Sequence, residues 1–199
     1  MDSGSFYYER DGVVWSDDLG SDSYTVDGYW SGSQNGARWK LFRLGATGHS
    51  TLSFDDSNHI VTATAEITDC FSTDRIGATV NLTTTFADKV SKAERTIYLD
   101  NDVLNIIDEV VPSVNTTVSW NMITPATAEI TDDSKLMLSC AGKQMLLEVK
   151  SPSNAQLYVL PAEGGEGNLP NPDHVRVGFT AELSAAQQYE LNVQLIPIK

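Results

Sequence analysis

The sequence predicts an all-β fold, a large antiparallel two-sheet β-sandwich. Three observations carry the prediction. Segment after segment alternates apolar and polar residues with a period of two, the pattern of a half-buried strand. Clusters of Asp, Asn, Ser and Gly punctuate these segments at short intervals, as turns do. No segment keeps a 3.6-residue apolar period over about ten residues, so no packed helix is expected, and at most one helical turn at 184–188. The chain has 199 residues, enough for one domain with a substantial core. No shift in composition and no internal repeat divides it, so residues 1–199 are read as one sandwich.

The elements follow in order. Residues 5–9 and 13–16 flank Arg10-Asp11-Gly12, and an Asp-Gly pair suits a tight hairpin because both turn positions need positive φ. Residues 17–37 are rich in Asp, Ser and Gly, with Tyr24, Tyr29 and Trp30 interspersed, and read as a long loop. Residues 38–54 organise the rest: a strand through Leu44, a glycine-bounded turn, and a second strand that starts at His49 and carries Leu52 and Phe54. A histidine at the mouth of such a hairpin is aimed by the sheet behind it, or is simply a half-solvated residue at a strand end. After Asp55-Asp56-Ser57-Asn58, residues 59–71 read as one long strand. Strands are then expected at 76–86, 95–99, 103–111, 116–123, 126–131, 135–141, 145–149, 155–160, 175–182 and 188–197. Residues 163–172, with their Gly and Pro, form the most loop-like stretch. Phe86, Trp120 and Phe179 are assigned to the core, and His59 and His174 to strand edges or the surface.

Composition narrows the function. The hydrophobic content of 41% excludes a disordered chain. A formal net charge of −14 excludes nucleic acid as a partner, because little here could neutralise a phosphate backbone. No apolar run reaches the length of a membrane span, so no membrane is expected either. Cys70 and Cys140 do not make a disulfide scaffold; two buried free thiols, or one bridge if the protein is exported, are both compatible with their apolar runs. Arg38, Lys40 and Arg43 gather three cations near His49, a local basic patch that can focus an anion on an acidic protein. Tyr24, Tyr29 and Trp30 either stack on pyranose rings or pin the long loop to the sheet.

Three separated motifs carry a resemblance: Asp2-Ser3-Gly4-Ser5-Phe6; then Gly12-Val13-Val14-Trp15-Ser16-Asp17-Asp18-Leu19-Gly20; then Arg38-Trp39 … Phe42-Arg43 … His49-Ser50-Thr51-Leu52. In this order they resemble the sandwich part of the heparinase II/III-like polysaccharide lyases. The likeness runs to about residue 125 and more loosely beyond. Ser50 departs from the Asn usual in that family. The resemblance implies an antiparallel sandwich packed against an N-terminal helical toroid, with Met1 falling where the family's His-x-His pair would end. On this reading the chain is the C-terminal part of a longer periplasmic or extracellular lyase, acting on an acidic, uronate-containing polysaccharide by β-elimination. It further implies zinc, held by Asp18 and His49 together with a histidine before Met1, with Asp17 as the substitute for Asp18 if the motif slips by one residue. Tyr24, Trp30, Arg38 and Arg43 become the substrate-contacting residues. The family's catalytic side chains come mainly from the toroid, so the isolated chain is expected to be inactive. A stand-alone carbohydrate-binding or structural sandwich is the other reading.

Overall fold

A computed structural model describes residues 1–198. It contains fourteen strands: β1 (Tyr8–Arg10), β2 (Val13–Ser16), β3 (Leu52–Phe54), β4 (Glu66–Phe71), β5 (Ile76–Asn81), β6 (Val90–Asp100), β7 (Val103–Pro112), β8 (Thr116–Thr124), β9 (Thr127–Asp132), β10 (Lys135–Cys140), β11 (Lys143–Ser151), β12 (Gln156–Pro161), β13 (Val175–Leu183) and β14 (Tyr189–Ile198). The expected all-β, antiparallel sandwich is what forms. One sheet has eight strands in the order β4-β5-β6-β7-β14-β11-β10-β9, the other has four in the order β12-β13-β8-β3, and β1 and β2 make a separate hairpin. Every pairing is antiparallel. Among the described residues no helix is long and apolar enough to cross a membrane.

The period-two pattern explains the core. On β7 the alternate residues Leu104, Ile106 and Val110 are buried, as are Leu191, Val193 and Leu195 on β14. The four-stranded sheet answers with Val118, Trp120 and Met122 of β8 and Val177, Phe179 and Ala181 of β13. Register aligns Leu52, Trp120 and Phe179 across β3, β8 and β13. The Trp120 and Phe179 rings stack with centroids 6.2 Å apart. Phe86 is buried too, so all three aromatic assignments to the core hold. Strand β8 is buried on nearly all its length: Phe42 and Ala162 pack with Ile123, and Asp17, Ser50 and Thr51 bond to its backbone.

The tight turns follow their chemistry. Asp11-Gly12, Asn101-Asp102 and Ala141-Gly142 all take positive φ and connect β1–β2, β6–β7 and β10–β11.

Several expectations are corrected. Residues 38–44 are not a strand. The chain instead makes three successive 3-10 turns, Ala37–Lys40, Phe42–Leu44 and Ala46–Gly48, before β3. Short-range bonds such as Leu41 N–H to Arg38 O and Gly48 N–H to Gly45 O replace a ladder. The glycines permit it: a Cβ on Gly48 would lie 1.9 Å from the Phe42 carbonyl oxygen. The alternation at 38–44 placed bulky groups on both faces, which no half-buried strand there could have satisfied. Residues 59–65 are likewise not strand, and the long run begins only at Glu66. His59 is 2% exposed rather than at the surface, with Nε2 3.0 Å from the Leu52 carbonyl oxygen. Residues 184–188 make a turn with Ala186 at positive φ, not a helical turn.

Both cysteines are free, but Cys70 is exposed on edge strand β4 and Cys140 is only partly buried. The expected burial fails at Cys70 because residues 66–70 of this edge strand are exposed on both faces.

Candidate functional site

Strand β2 ends at Ser16, and Asp17 and Asp18 follow. Asp17 N–H donates to the Ile123 carbonyl at 2.9 Å, which ties this strand end to β8. Successive side chains of an extended chain point to opposite sides. The two carboxylates accordingly diverge to two different histidines. Asp17 Oδ2 lies 2.9 Å from His174 Nε2, and Asp18 Oδ2 lies 3.5 Å from His49 Nδ1.

His49 ends the third 3-10 turn with extended backbone, and its N–H donates to the Ala46 carbonyl. It is buried, and its Nδ1 is enclosed without a hydrogen-bond partner. Burial pushes the imidazole below its ordinary pKa, against the opposing pull of Asp18 and Asp2. Asp18 remains half exposed, with Oδ1 accepting from Gly20 N–H at 2.7 Å.

The next residue, Ser50, is a buried junction. Its Oγ accepts from Ile123 N–H and meets Ser16 Oγ at 2.9 Å, while Ser16 donates to the Phe6 carbonyl. The Ser50 carbonyl accepts from Arg95 Nη1, and the same guanidinium nitrogen donates to the Gly4 carbonyl. The three motif segments, far apart in sequence, are thus bonded together around Ser50 and Arg95.

A carboxylate oxygen facing an unpartnered buried imidazole nitrogen is a donor set suited to zinc. Two donors fall short of the usual four, and among the described residues no group of three or more His, Cys, Asp and Glu side chains comes together. The pair fits as part of a metal site.

The remaining candidates divide. Arg43 is taken up within the protein: Nε donates to Asn171 Oδ1 at 2.8 Å, Nη1 to the Ser21 carbonyl and Nη2 to the Pro170 carbonyl. It clamps the 17–36 loop to the 162–174 loop. Arg38 lies over the Tyr29 ring, 4.4 Å from its centroid, and donates to the Tyr29 carbonyl. Tyr24 and Trp30 are exposed and stack on each other, while Tyr29 is buried beneath them. Lys40 opens into a groove of about 630 Å³ that Trp39, Asn58, Asp56 and Asp88 also line.

Sequence reasoning missed the His174–Asp17 pair, having left His174 at the surface. It also missed Asn168 and Asn171, whose side chains bind Phe42 N–H and the Ala162 carbonyl. Arg95 was legible in principle. It sits at an inward position of β6 directly opposite the inward Asp108 of β7, and opposed charges at matching inward positions of neighbouring strands signal a buried pair.

Compared by sequence, the chain matches no family model and no curated protein. Solved structures share its architecture. Heparan sulfate lyase HepC from Pedobacter heparinus superposes with a TM-score of 0.80 at 13% identity, over 100% of this chain and 30% of that one. A heparinase III gene product gives 0.80 at 16% identity, over 100% and 30%. Another heparinase III gives 0.76 at 14% identity, over 99% and 30%. The chain therefore spans about 30% of the length of these proteins. Residues 1–198 adopt a β-sandwich fold similar to one contained within the heparinase III and HepC structures.

Proposed function

We propose that this chain is the β-sandwich domain of a polysaccharide lyase that cleaves an acidic, uronate-containing polysaccharide by β-elimination. The observation that carries the reading is the approach of Asp18 and His49 to 3.5 Å. Motif resemblance grouped these two residues as metal ligands, and folding brings them together around an imidazole nitrogen that lacks any other partner. The full-length match in fold to heparinase III and HepC supports the same reading.

Elimination from a uronate removes the C5 proton beside the carboxylate and expels the oxygen at C4 as the double bond forms. It needs a base, an acid for the leaving oxygen and a positive or hydrogen-bonding group on the carboxylate. On this reading the sandwich supplies a cleft wall, and the base and acid come from a helical domain of the same polypeptide in the periplasm or outside the cell. Asp18 and His49 would hold zinc on that wall, where it would supply a positive charge. Asp18 offers its Oδ2 and His49 its Nδ1, with further ligands supplied from outside residues 1–198.

The test uses the full polypeptide that contains this chain. Incubation with heparan sulfate, chondroitin or alginate is expected to release unsaturated uronide, read by ultraviolet absorbance, while the 199-residue chain alone releases none. Zinc content per full polypeptide is expected to fall in Asp18→Ala and His49→Ala. Absence of unsaturated product from every uronate polymer would sink the lyase reading.

A further inference from the structure

The large sheet has eight strands and the small one four, and the overhang falls at β4, β5 and the far end of β6. Register puts Val80 opposite the fully buried Arg95, which places Ile76, Ala78 and Val80 of β5 on the inner side of the sheet. Their partners Ile67 and Cys70 of β4, and Ile97 and Leu99 of β6, share that side. Ile67 is nevertheless 62% exposed and Ile76 67%, and Cys70 is exposed as well. A row of apolar side chains on the core side of a sheet, left without a second layer, marks an interaction surface.

Beside this row the sheet ends. Strand β4 is outermost and pairs with β5 alone. Its free side presents backbone N–H and carbonyl groups that no neighbouring strand satisfies. An extended segment is the ligand shape that bonds such an edge in register.

Charge selects among extended segments. Residues 66–81 carry Glu66, Asp69 and Asp74 and one cation, Arg75. Glu66 and Asp69 lie on the edge strand itself, on the side opposite Ile67 and Cys70. Among the described residues neither makes an ion pair. Arg75 covers the Phe71 and Tyr98 rings, 4.7 and 4.3 Å from their centroids. The cations of β6 are committed too, Lys92 to Glu109 and Arg95 to Asp108. A second copy pairing along β4 would set Glu66 and Asp69 of both chains on one face, and the bulge at Thr68 interrupts the edge further. A segment bearing Lys or Arg meets the same carboxylates favourably.

We propose that β4 is a docking edge for an extended peptide segment of alternating apolar and basic residues. The segment adds to the large sheet as a further strand. Its apolar side chains extend the row that Ile67 and Ile76 begin, and its Lys or Arg side chains meet Glu66 and Asp69. This goes beyond the lyase reading and does not depend on it.

The test titrates the 199-residue chain with a blocked peptide of alternating Lys and Val, followed by amide resonances and by hydrogen exchange. Two control peptides accompany it: one with Glu in place of Lys, and one of the basic sequence with its backbone nitrogens methylated. The basic peptide is expected to bind and to slow exchange at residues 66–71 by about tenfold, while neither control does. Ile67→Lys and the double change Glu66→Lys with Asp69→Lys alter exposed side chains only, so both should keep the β circular dichroism spectrum. Each should weaken the basic peptide by about tenfold. Equal binding of the methylated peptide would overturn strand addition, and equal binding of the Glu peptide would overturn the choice of a basic partner. Protection of residues 66–71 that rises with protein concentration alone would make a second copy the occupant and overturn the proposal. Absence of any response at residues 66–71 to the basic peptide overturns it as well.

Discussion

Arg95 and Asp108 face each other across β6 and β7 in a two-pronged ion pair, with Nε–Oδ1 at 2.7 Å, Nη2–Oδ2 at 2.9 Å and neither side chain exposed. Burial pushes the Asp108 carboxyl upward, against the pull of the guanidinium. The remaining guanidinium nitrogen, Nη1, holds the carbonyls of Gly4 and Ser50, so this pair underlies the segment that carries His49. Removing one partner strands the other charge in the core. Arg95→Ala is expected to lose about 3–5 kcal/mol, whereas a double change to Arg95→Met with Asp108→Leu loses much less. Urea unfolding of both variants checks this, and equal losses would refute the stranded-charge account.

His59 predicts a pH dependence. Burial lowers its pKa from the ordinary 6.5 to about 4, and its neutral form donates from Nε2 to the Leu52 carbonyl. Between those two values the unfolded chain binds a proton that the folded chain refuses. Stability is therefore full above pH 6.5 and falls as pH drops toward 4, by about 3 kcal/mol for this group. His59→Gln cannot titrate, so its unfolding free energy should lose that part of the slope. An unchanged slope would assign the dependence to other groups.

Gly48 places His49. A Cβ there would meet the Phe42 carbonyl oxygen at 1.9 Å and its carbon at 2.8 Å, both rigid backbone atoms. Gly48→Ala is expected to cost roughly 1–3 kcal/mol and to move the His49 ring signals in a proton–carbon spectrum. The same substitution at Gly12, where nothing lies within 4 Å of the added carbon, leaves those signals in place.

Arg43 is predicted to act as a clamp rather than as a hand on substrate. Its bonds to Ser21, Pro170 and Asn171 join two long loops, aided by Asp22, which accepts from Leu169 N–H. Arg43→Ala should speed amide exchange across residues 163–174 by about tenfold, equivalent to about 1.4 kcal/mol of lost local protection. Exchange at wild-type rates with glycan affinity lost would show the opposite role.

Much of the sandwich was legible in the residues. Strand β2 spans the residues expected, and from Val103 onward each strand differs from its expected bounds by no more than two residues at either end. Burial of one face of each strand writes a period of two into the chain, and the turn pairs supply the punctuation. The 38–44 segment was misread for the same reason. Alternation there reflects side chains that fall on different neighbours around tight turns, and only contact with Asn168, Asn58 and Asn171 from elsewhere in the chain and fold decides that path.

The site shows the same division. The resemblance carried by the sequence motifs pointed to Asp18 and His49, and the fold brings these two to 3.5 Å. The sequence by itself determined the acidic surface, the aromatic content of the 17–37 loop and the β class. Only the tertiary structure decided that Asp17 meets His174, that Arg38 and Arg43 are engaged inside the protein, and that Trp30 and Tyr24 stay open to solvent. Such facts depend on which distant segment occupies the space beside a side chain. Long-range packing sets that occupancy, and a local pattern of residue types does not record it.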